Sequence, residues 1–263
     1  MNETCILFCR CGAGVISPGK TDQLAGAFQQ LDADVFELRD LCAFSVHEKD
    51  ALQSIAEKYQ QKLIVACYPR AVKNMLRQAG INFGEFEVLN FKELSTEQIL
   101  AKLQEEYRLQ KGTARYQVEV SDLDVPAWFP VIDESLCTLC GQCARFCLFG
   151  VYAYDKKSLT VVNPLACKNN CPACGRTCPA SAIMFPRLAE NSALAGAQPG
   201  EKANRPTAKP GSLFVMLNDR NQNRKNIFRQ GVVQLAEEER RKALEEVRKK
   251  APPNLPGGEG LTP

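Results

Sequence analysis

The chain has 263 residues, of which 33 are basic, 30 acidic, 13 cysteine and one histidine. A formal net charge of +3 lacks the basic excess of proteins that bind nucleic acid, and no apolar run reaches the roughly 18 residues of a membrane span. The single histidine excludes sites that need several imidazoles, such as a two-histidine zinc finger or a Rieske centre. The N-terminus has no signal-peptide pattern, so we expect a cytoplasmic protein whose cysteines are not paired in disulfides.

Apolar runs of strand length alternate with segments of helical periodicity through the first 112 residues. Strands that alternate with helices predict a parallel sheet with helices on both faces. We therefore predict an α/β domain of about four parallel strands at 1–112, and a connector at 113–130 that holds one more strand candidate, at 116–120. The predicted strands span 4–9, 34–38, 62–67 and 86–91, and the predicted helices span 21–31, 48–60, 71–79 and 95–110.

Five cysteines fall in this predicted α/β domain, and four of them lie at strand ends. Cys9 and Cys11 are two residues apart at the end of the first strand and so face the same side. Cys42 follows the second strand and Cys67 ends the third. The carboxyl ends of parallel strands share one edge of a sheet, where open α/β sheets bind ligands. We therefore expect these four thiols to converge, and Cys5, deeper in the first strand, to be a core residue.

Three short segments near these cysteines carry a family resemblance. They are C-R-C-G at 9–12, L-C at 41–42 and A-C-Y-P-R at 66–70, and they resemble the N-terminal domain of the heterodisulfide reductase A family. The resemblance covers roughly residues 4–80 and implies a [4Fe–4S] cluster on these four cysteines. That family continues into a flavin-binding domain, but this chain has no G-x-G-x-x-G sequence, so we expect no flavin in it. The alternative is four buried thiols that bind no metal.

A phosphate-loop pattern, G-x4-G-K-T, overlaps the same region and indicates a different function. Gly14, Gly19, Lys20 and Thr21 occupy its fixed positions, between a predicted strand and a predicted helix. A nucleotide-binding iron–sulfur ATPase is therefore the alternative function. Against it, Pro18 removes a backbone N–H from a loop that binds phosphate through N–H groups. The third strand also ends in a cysteine rather than in an aspartate that could hold magnesium.

Two dense cysteine runs lie in a predicted domain at 131–188. The first run has the form C-x2-C-x2-C-x3-C, and the second, C-x3-C-x2-C-x3-C, is followed by Pro179. These runs resemble those of bacterial two-cluster ferredoxins, which are small α+β proteins. In that family three cysteines of a run bind one [4Fe–4S] cluster and the fourth binds the other. The resemblance implies cluster I on Cys137, Cys140, Cys143 and Cys178, and cluster II on Cys167, Cys171, Cys174 and Cys147.

Two features depart from the ferredoxin pattern. Cys147 is followed by Leu148 rather than by proline, and the second run has one extra residue in its first spacing, at 169–170. The extra residue lengthens a loop and leaves the set of ligands intact. The alternative is a pair of structural zinc sites, although zinc favours C-x2-C pairs separated by a longer spacer.

The remaining segment, 189–263, is predicted to be a linker at 191–211, a charged helix at 232–250 and a disordered tail rich in proline and glycine at 251–263. The helix carries a thin apolar stripe of Val233, Ala236, Leu244 and Val247. It is either a solvated helix or part of an arm that docks on a partner protein. The other apolar residues of that arm are Leu213, Phe214, Met216, Leu217, Ile227 and Phe228.

These patterns together predict a non-catalytic, iron–sulfur subunit of a larger, anaerobic oxidoreductase complex. Two [4Fe–4S] clusters, and a third in the N-terminal domain, would relay single electrons between a flavin-containing or other redox partner and a catalytic subunit. A redox or iron sensor is a further alternative, but the sequence shows no basic face for nucleic acid.

Overall fold

The computed structural model describes residues 4–200 and 232–250. Its larger part is a five-stranded sheet in the order β4-β3-β1-β2-β5, in which every pair of neighbours is parallel. The three central strands are buried on both faces, as parallel sheets require, and β2 buries two acidic residues, Asp34 and Glu37, among its apolar ones. The predicted parallel α/β architecture is therefore confirmed, with one strand more than expected. The strands are β1 Thr4–Cys9, β2 Asp34–Leu38, β3 Gln61–Ala66, β4 Glu87–Asn90 and β5 Arg115–Glu119.

Helices cover the sheet, and local capping sets where several of them begin. Ser17 caps α1, and Ser95 with Gln98 forms the predicted capping box of α5. The predicted helix at 48–60 is preceded by a separate helix, α2. It begins directly after β2, because the Asp40 side chain caps its N-terminus. The helices are α1 Pro18–Phe28, α2 Leu41–His47, α3 Lys49–Lys58, α4 Pro69–Ala79 and α5 Thr96–Glu105.

A second, smaller core follows the sheet and is built from short antiparallel pairs. Trp128 stacks on Phe185 with ring centroids 5.3 Å apart, and Ile132 and Ile183 complete the apolar centre. Strand β6 pairs with β9, and β7 pairs with β8. The elements are β6 Val131–Ile132, α6 Gln142–Phe146, β7 Tyr152–Tyr154, β8 Leu159–Val161, α7 Ala173–Arg176, β9 Ile183–Met184 and α8 Val232–Lys250.

Part of the predicted linker is packed rather than free. Residues 192–197 form a tight turn, Ala195 is fully buried, and a Cβ on Gly196 would collide with Ala71 of α4. Residues 201–211 of the predicted linker lie outside the described residues, as do the apolar residues expected at 213–228 and the tail at 251–263. None of the described helices combines the length and apolarity needed to cross a membrane.

Arg70, in the first turn of α4, joins the two cores. Its side chain is 3% exposed, and its Nε donates to the Asp133 carboxylate at 2.6 Å. The guanidinium also donates to the carbonyls of Ala193 and Ala197 at 3.1 Å and of Ser181 at 2.6 Å. A buried charge is tolerated only when it is paired and its donors are satisfied. Arg70 therefore ties the sheet to the cysteine-rich segment through four buried or partly buried hydrogen bonds.

We predict that Arg70→Met destabilises the protein by about 3–5 kcal/mol, because it leaves the Asp133 carboxylate buried without its partner. Arg77→Met is the matched control, since Arg77 also lies on α4 but is 41% exposed: it donates to the Ile132 carbonyl and pairs with Glu134 at the surface, where an ion pair contributes about 0–1 kcal/mol. Anaerobic urea unfolding followed by circular dichroism measures both. Equal losses in the two variants would contradict the assignment of Arg70 as the joint.

Candidate functional site

The four cysteines predicted at strand ends gather at the carboxyl edge of the sheet and are called here the N-terminal set. Cys9 ends β1, and Cys11 lies in the loop that follows. Cys42 is in the first turn of α2, so it is carried by a helix rather than by a loop, and Cys67 comes directly after β3. Cys9, Cys42 and Cys67 are buried, and Cys11 is half-buried.

The thiols of the N-terminal set lie close enough to change one another's acidity. The Cys9 thiol donates a hydrogen bond to the Cys11 sulfur, which lowers the pKa of Cys11 to about 6 and, together with burial, raises the pKa of Cys9 well above its usual value. Burial raises the pKa of Cys42 well above its ordinary value and that of Cys67 to about 12, and negative charge on Cys11 raises both further. Such a set holds several thiolates only when a cation compensates them.

Backbone N–H groups point at the sulfurs of this set. The N–H groups of Ala13 and Val15 hydrogen-bond to the Cys11 sulfur, and the N–H of Leu41 donates to Cys9 Sγ at 3.5 Å. Hydrogen bonds to sulfur stabilise thiolates and tune the potential of iron–sulfur clusters. The loop after β1 therefore presents its amides to a thiolate.

Cys5 is separate from the N-terminal set. It is fully buried inside β1, and burial raises its pKa to about 12. The charged groups that act on it are Lys62, Asp34 and Lys58, and none of the other cysteines is among them. The structure thus places Cys5 in the core, away from the edge where the other four lie.

Lys20 of the phosphate-loop pattern makes its contacts within the fold. Lys20 Nζ donates to the carbonyls of Phe91 and Leu94, each at 2.6 Å, so the ammonium binds the turn between β4 and α5. Pro18 is the first residue of α1 and offers no N–H there, and the amides of the preceding loop are directed at Cys11. A phosphate group would have to displace these contacts.

Four cysteines of the smaller core line a single pocket that is partly open to solvent. They are the four predicted for cluster I and are called here set I: Cys137, Cys140, Cys143 and Cys178. Burial raises the pKa of Cys143 to about 12, and the other three members of set I raise it further. Cys178 Sγ accepts a hydrogen bond from the N–H of Ala182 at 3.3 Å. Gly141 turns the loop with φ +69°, where a Cβ would collide with the ring of Tyr154.

The four cysteines predicted for cluster II, called here set II, are also neighbours. Burial is the largest cause that raises the pKa of Cys174, and Cys167 and Cys147 add to it. Burial and then Cys171 and Cys147 likewise raise the pKa of Cys167. The Tyr152 hydroxyl lies 3.1 Å from Cys174 Sγ in a hydrogen bond.

The two departures from the ferredoxin pattern are accommodated locally. The extra residue of the second run is absorbed by Asn170, whose φ of +59° is a left-handed conformation that asparagine tolerates. Leu148, where ferredoxins have proline, is 41% exposed. Neither change separates Cys147 from Cys167 and Cys171, because negative charge on Cys147 still raises the pKa of both.

Helix α8 packs on its own chain beside set II. Ala236 and Ala243 are each 1% exposed, whereas Leu244, which the predicted stripe included, is 37% exposed. Glu239 pairs with Arg176 at 3.2 Å, and Glu246 pairs with Lys168 at 3.3 Å. Both partners lie next to cysteines of set II, so the helix covers the loop that carries them. The side chains of Val233 and Val247 lie outside the described part of the chain.

The cysteine sets differ from a site for one metal ion. Within residues 4–200 and 232–250, no three His, Cys, Asp or Glu side chains meet around a single ion. A cubane cluster distributes four thiolates over four iron atoms, so its ligands need not meet around one point.

Residues that the sequence motifs did not reveal also face the sets. Tyr152 beside set II, and Arg187 and Asp40 beside the N-terminal set, come from segments without a cysteine pattern. Only Asp40 had a readable signal, because an aspartate that precedes an apolar helix is a common N-cap.

Comparison with known proteins identifies one segment. A family model described as a 4Fe-4S binding domain matches residues 129–152, which contain the whole first cysteine run. No curated protein and no solved structure matches the chain. The chain therefore contains an iron–sulfur binding segment for at least one [4Fe–4S] cluster.

We predict that Lys20→Ala lowers stability by about 1–3 kcal/mol, because two charge-assisted hydrogen bonds to carbonyls are lost, and that neither form binds ATP. Lys49→Ala is the control, since Lys49 is exposed and its loss should change stability by less than about 0.5 kcal/mol. Calorimetry with Mg-ATP and urea unfolding measure the two effects. Saturable ATP binding that is lost in Lys20→Ala would establish a phosphate loop instead.

We predict that Ala243→Glu releases α8, because it would bury an unpaired carboxylate at a cost of about 1–3 kcal/mol or more. The helix should then be cut sooner in limited proteolysis, and the visible iron–sulfur absorbance should bleach faster with a chelator. Leu244→Glu introduces the same group one residue further on, at an exposed position, and should behave as the parent protein. If both variants bleach at the parent rate, α8 does not protect set II.

Proposed function

We propose that this chain is an iron–sulfur electron-transfer subunit that relays single electrons through three [4Fe–4S] clusters, on the N-terminal set, set II and set I. The observation that carries the proposal is the pocket of set I, where four cysteines from two separate runs line one space. Three of them belong to the first run and Cys178 to the second, which is the crossed arrangement of two-cluster ferredoxins.

The arrangement of the ligands along the chain supports iron rather than zinc at these sets. Each cubane, when bound, accepts or gives up one electron and leaves its four thiolate ligands in place. The sets provide only thiols, and backbone N–H groups hydrogen-bond to Cys11, Cys9 and Cys178. Paired C-x2-C knuckles, which structural zinc sites favour, do not describe these crossed sets.

Packing supports an order for the relay. Cys167 of set II packs against both the core of the sheet and the smaller core, which supports a position for set II between the N-terminal set and set I. Negative charge on Cys143 of set I raises the pKa of Cys174 of set II, which makes these two sets neighbours. We therefore propose the path N-terminal set, set II, set I.

Exposure supports exchange with a partner at set I. Cys140 is exposed, whereas Cys9, Cys42 and Cys67 of the N-terminal set are buried. A partner that reaches the loop at 138–140 would approach set I directly. We propose that the partners are flavin-containing and catalytic subunits of a cytoplasmic oxidoreductase, and that this chain provides the path between them and no catalytic residue.

We predict that the anaerobically purified full chain holds about 12 iron atoms, and that Cys→Ser at each of Cys9, Cys11, Cys42 and Cys67 removes about four of them or makes them labile. Iron analysis and EPR of the reduced protein measure both. The full chain is the object to test, because β5 and Arg187 lie beyond residue 112 and contact the N-terminal domain.

Cys5→Ser is the matched control for these variants. It should keep the iron content of the parent and cost only stability, about 1–3 kcal/mol for an unpaired hydroxyl in the core. About eight iron atoms in the parent, with no third EPR signal, would show that the N-terminal set binds no cluster and that only the two ferredoxin-type clusters form. Zinc in place of iron would overturn the whole proposal.

A further inference from the structure

Arg187 follows β9 in the cysteine-rich segment, yet its side chain reaches into the N-terminal domain. Its guanidinium forms an ion pair with Asp40, and the two side chains are only 11% and 9% exposed. An ion pair this buried is retained only with close geometry, because both charges give up most of their hydration. The pair therefore occupies a fixed place between the two cores.

The ion pair lies directly beside the N-terminal set. A Cβ built on Gly12 would stand 3.8 and 3.9 Å from the two terminal nitrogens of Arg187 and 3.6 Å from Asp40 Oδ2. Gly12 directly follows Cys11, so the ion pair lies against the loop that carries this thiol. The positive charge of Arg187 also helps to lower the pKa of Cys11, in addition to the larger effect of the Cys9 hydrogen bond.

Asp40 connects the same pair to a second cysteine. Its Oδ1 accepts a hydrogen bond from the N–H of Cys42 at 3.1 Å and so caps the helix on which Cys42 is mounted. Asp40 has φ +96°, a strained backbone for a residue other than glycine, and such strain persists only where surrounding contacts hold it. The Arg187 guanidinium supplies one of those contacts.

Lys92 is a second cation that acts on the set. Burial raises the pKa of Cys67, the positive charge of Lys92 offsets part of that rise, and Lys92 Nζ donates to the carbonyl of Glu190 at 3.0 Å. Both cationic contacts thus involve the chain between 187 and 190, which leads out of the cysteine-rich segment. The N-terminal domain provides the four thiols, and the later segment provides or holds the positive charge beside them.

We infer that Arg187 is a positioning residue of the N-terminal set: together with Asp40 it holds the helix of Cys42 and sets the charge, and hence the reduction potential, of the cluster bound there. This inference rests on the proposed N-terminal cluster. Reduction adds one negative charge to a cluster, so a nearby cation favours the reduced form and a nearby anion opposes it. The two partners of the ion pair must therefore act on the potential in opposite directions.

The test compares five full-length proteins: the parent, Arg187→Gln, Arg187→Lys, Asp40→Asn and Arg77→Gln. Asparagine at position 40 keeps a cap acceptor and tolerates positive φ. Arg77 also joins α4 to the later segment, through Ile132 and Glu134, and contacts no cysteine in its hydrogen bonds or ion pair. Each protein is titrated anaerobically with dithionite and followed by EPR, and its iron content is measured.

We expect Arg187→Gln to lower the potential of the N-terminal cluster or release its iron, and Asp40→Asn to raise the potential. The clusters on set I and set II should keep the parent's reduction potentials. Arg77→Gln should change the potential of none of the three clusters. Arg187→Lys keeps the positive charge, so its N-terminal cluster should have a potential nearer that of the parent than Arg187→Gln has. If Arg187→Gln does not fold, the comparison of Arg187→Lys with Asp40→Asn tests the inference.

Two results would overturn the inference in distinguishable ways. A parent protein with three clusters, in which Arg187→Gln and Asp40→Asn shift the N-terminal potential in the same direction or not at all, would make the pair a purely structural contact. A parent protein with about eight iron atoms and no third EPR signal would show that the N-terminal set binds no cluster, and this inference would then fail with it.

Discussion

The rest of this structure depends on the burial of thiols beside one another. Burial disfavours a thiolate, and a neighbouring thiolate disfavours it again, so burial and neighbouring cysteines together raise the pKa of Cys42, Cys143 and Cys174. Twelve of the 13 cysteines lie in three such groups, and the thiols of one group can be deprotonated together only when cations offset the electrostatic cost. Iron in a cubane would supply that positive charge, and backbone N–H groups at Cys9, Cys11 and Cys178 stabilise negative charge on the sulfurs from the protein side.

The same constraint explains why the two cores are joined by buried arginines. Arg70 uses its donors on Asp133 and on three carbonyls of the later segment, and so fixes the distance between the sheet and the smaller core. Arg187 brings a positive charge to the edge of the sheet where the N-terminal set lies. Cys167, which packs against both cores, lies at the same junction. A relay needs fixed distances between its centres, and this junction provides them.

Sequence patterns predicted what depends on local spacing and failed where distant segments meet. The parallel sheet, the capping box at Ser95 and the position of Cys5 follow from periodicity and chain order, and the structure has them. The extra strand, β5, was only a candidate, because an edge strand with exposed residues has a weak apolar signal. In α8, Ala236 and Ala243 are buried, whereas Leu244 of the predicted apolar stripe is 37% exposed, and the docking of this stripe on a partner stays a prediction. Arg187 could not be predicted, because no local pattern links an arginine to an aspartate in another domain. Whether the three sets bind clusters is a prediction that the contacts support.

Diffraction from crystals of the anaerobic protein at the iron absorption edge would test the central claim most directly. The account predicts three separate anomalous peaks: one in the pocket of Cys137, Cys140, Cys143 and Cys178, one among the cysteines of set II, and one at the carboxyl edge of the sheet among Cys9, Cys11, Cys42 and Cys67. Cys5 should show a free thiol. Peaks confined to the smaller core, with four unliganded thiols at the sheet edge, would contradict the three-centre relay.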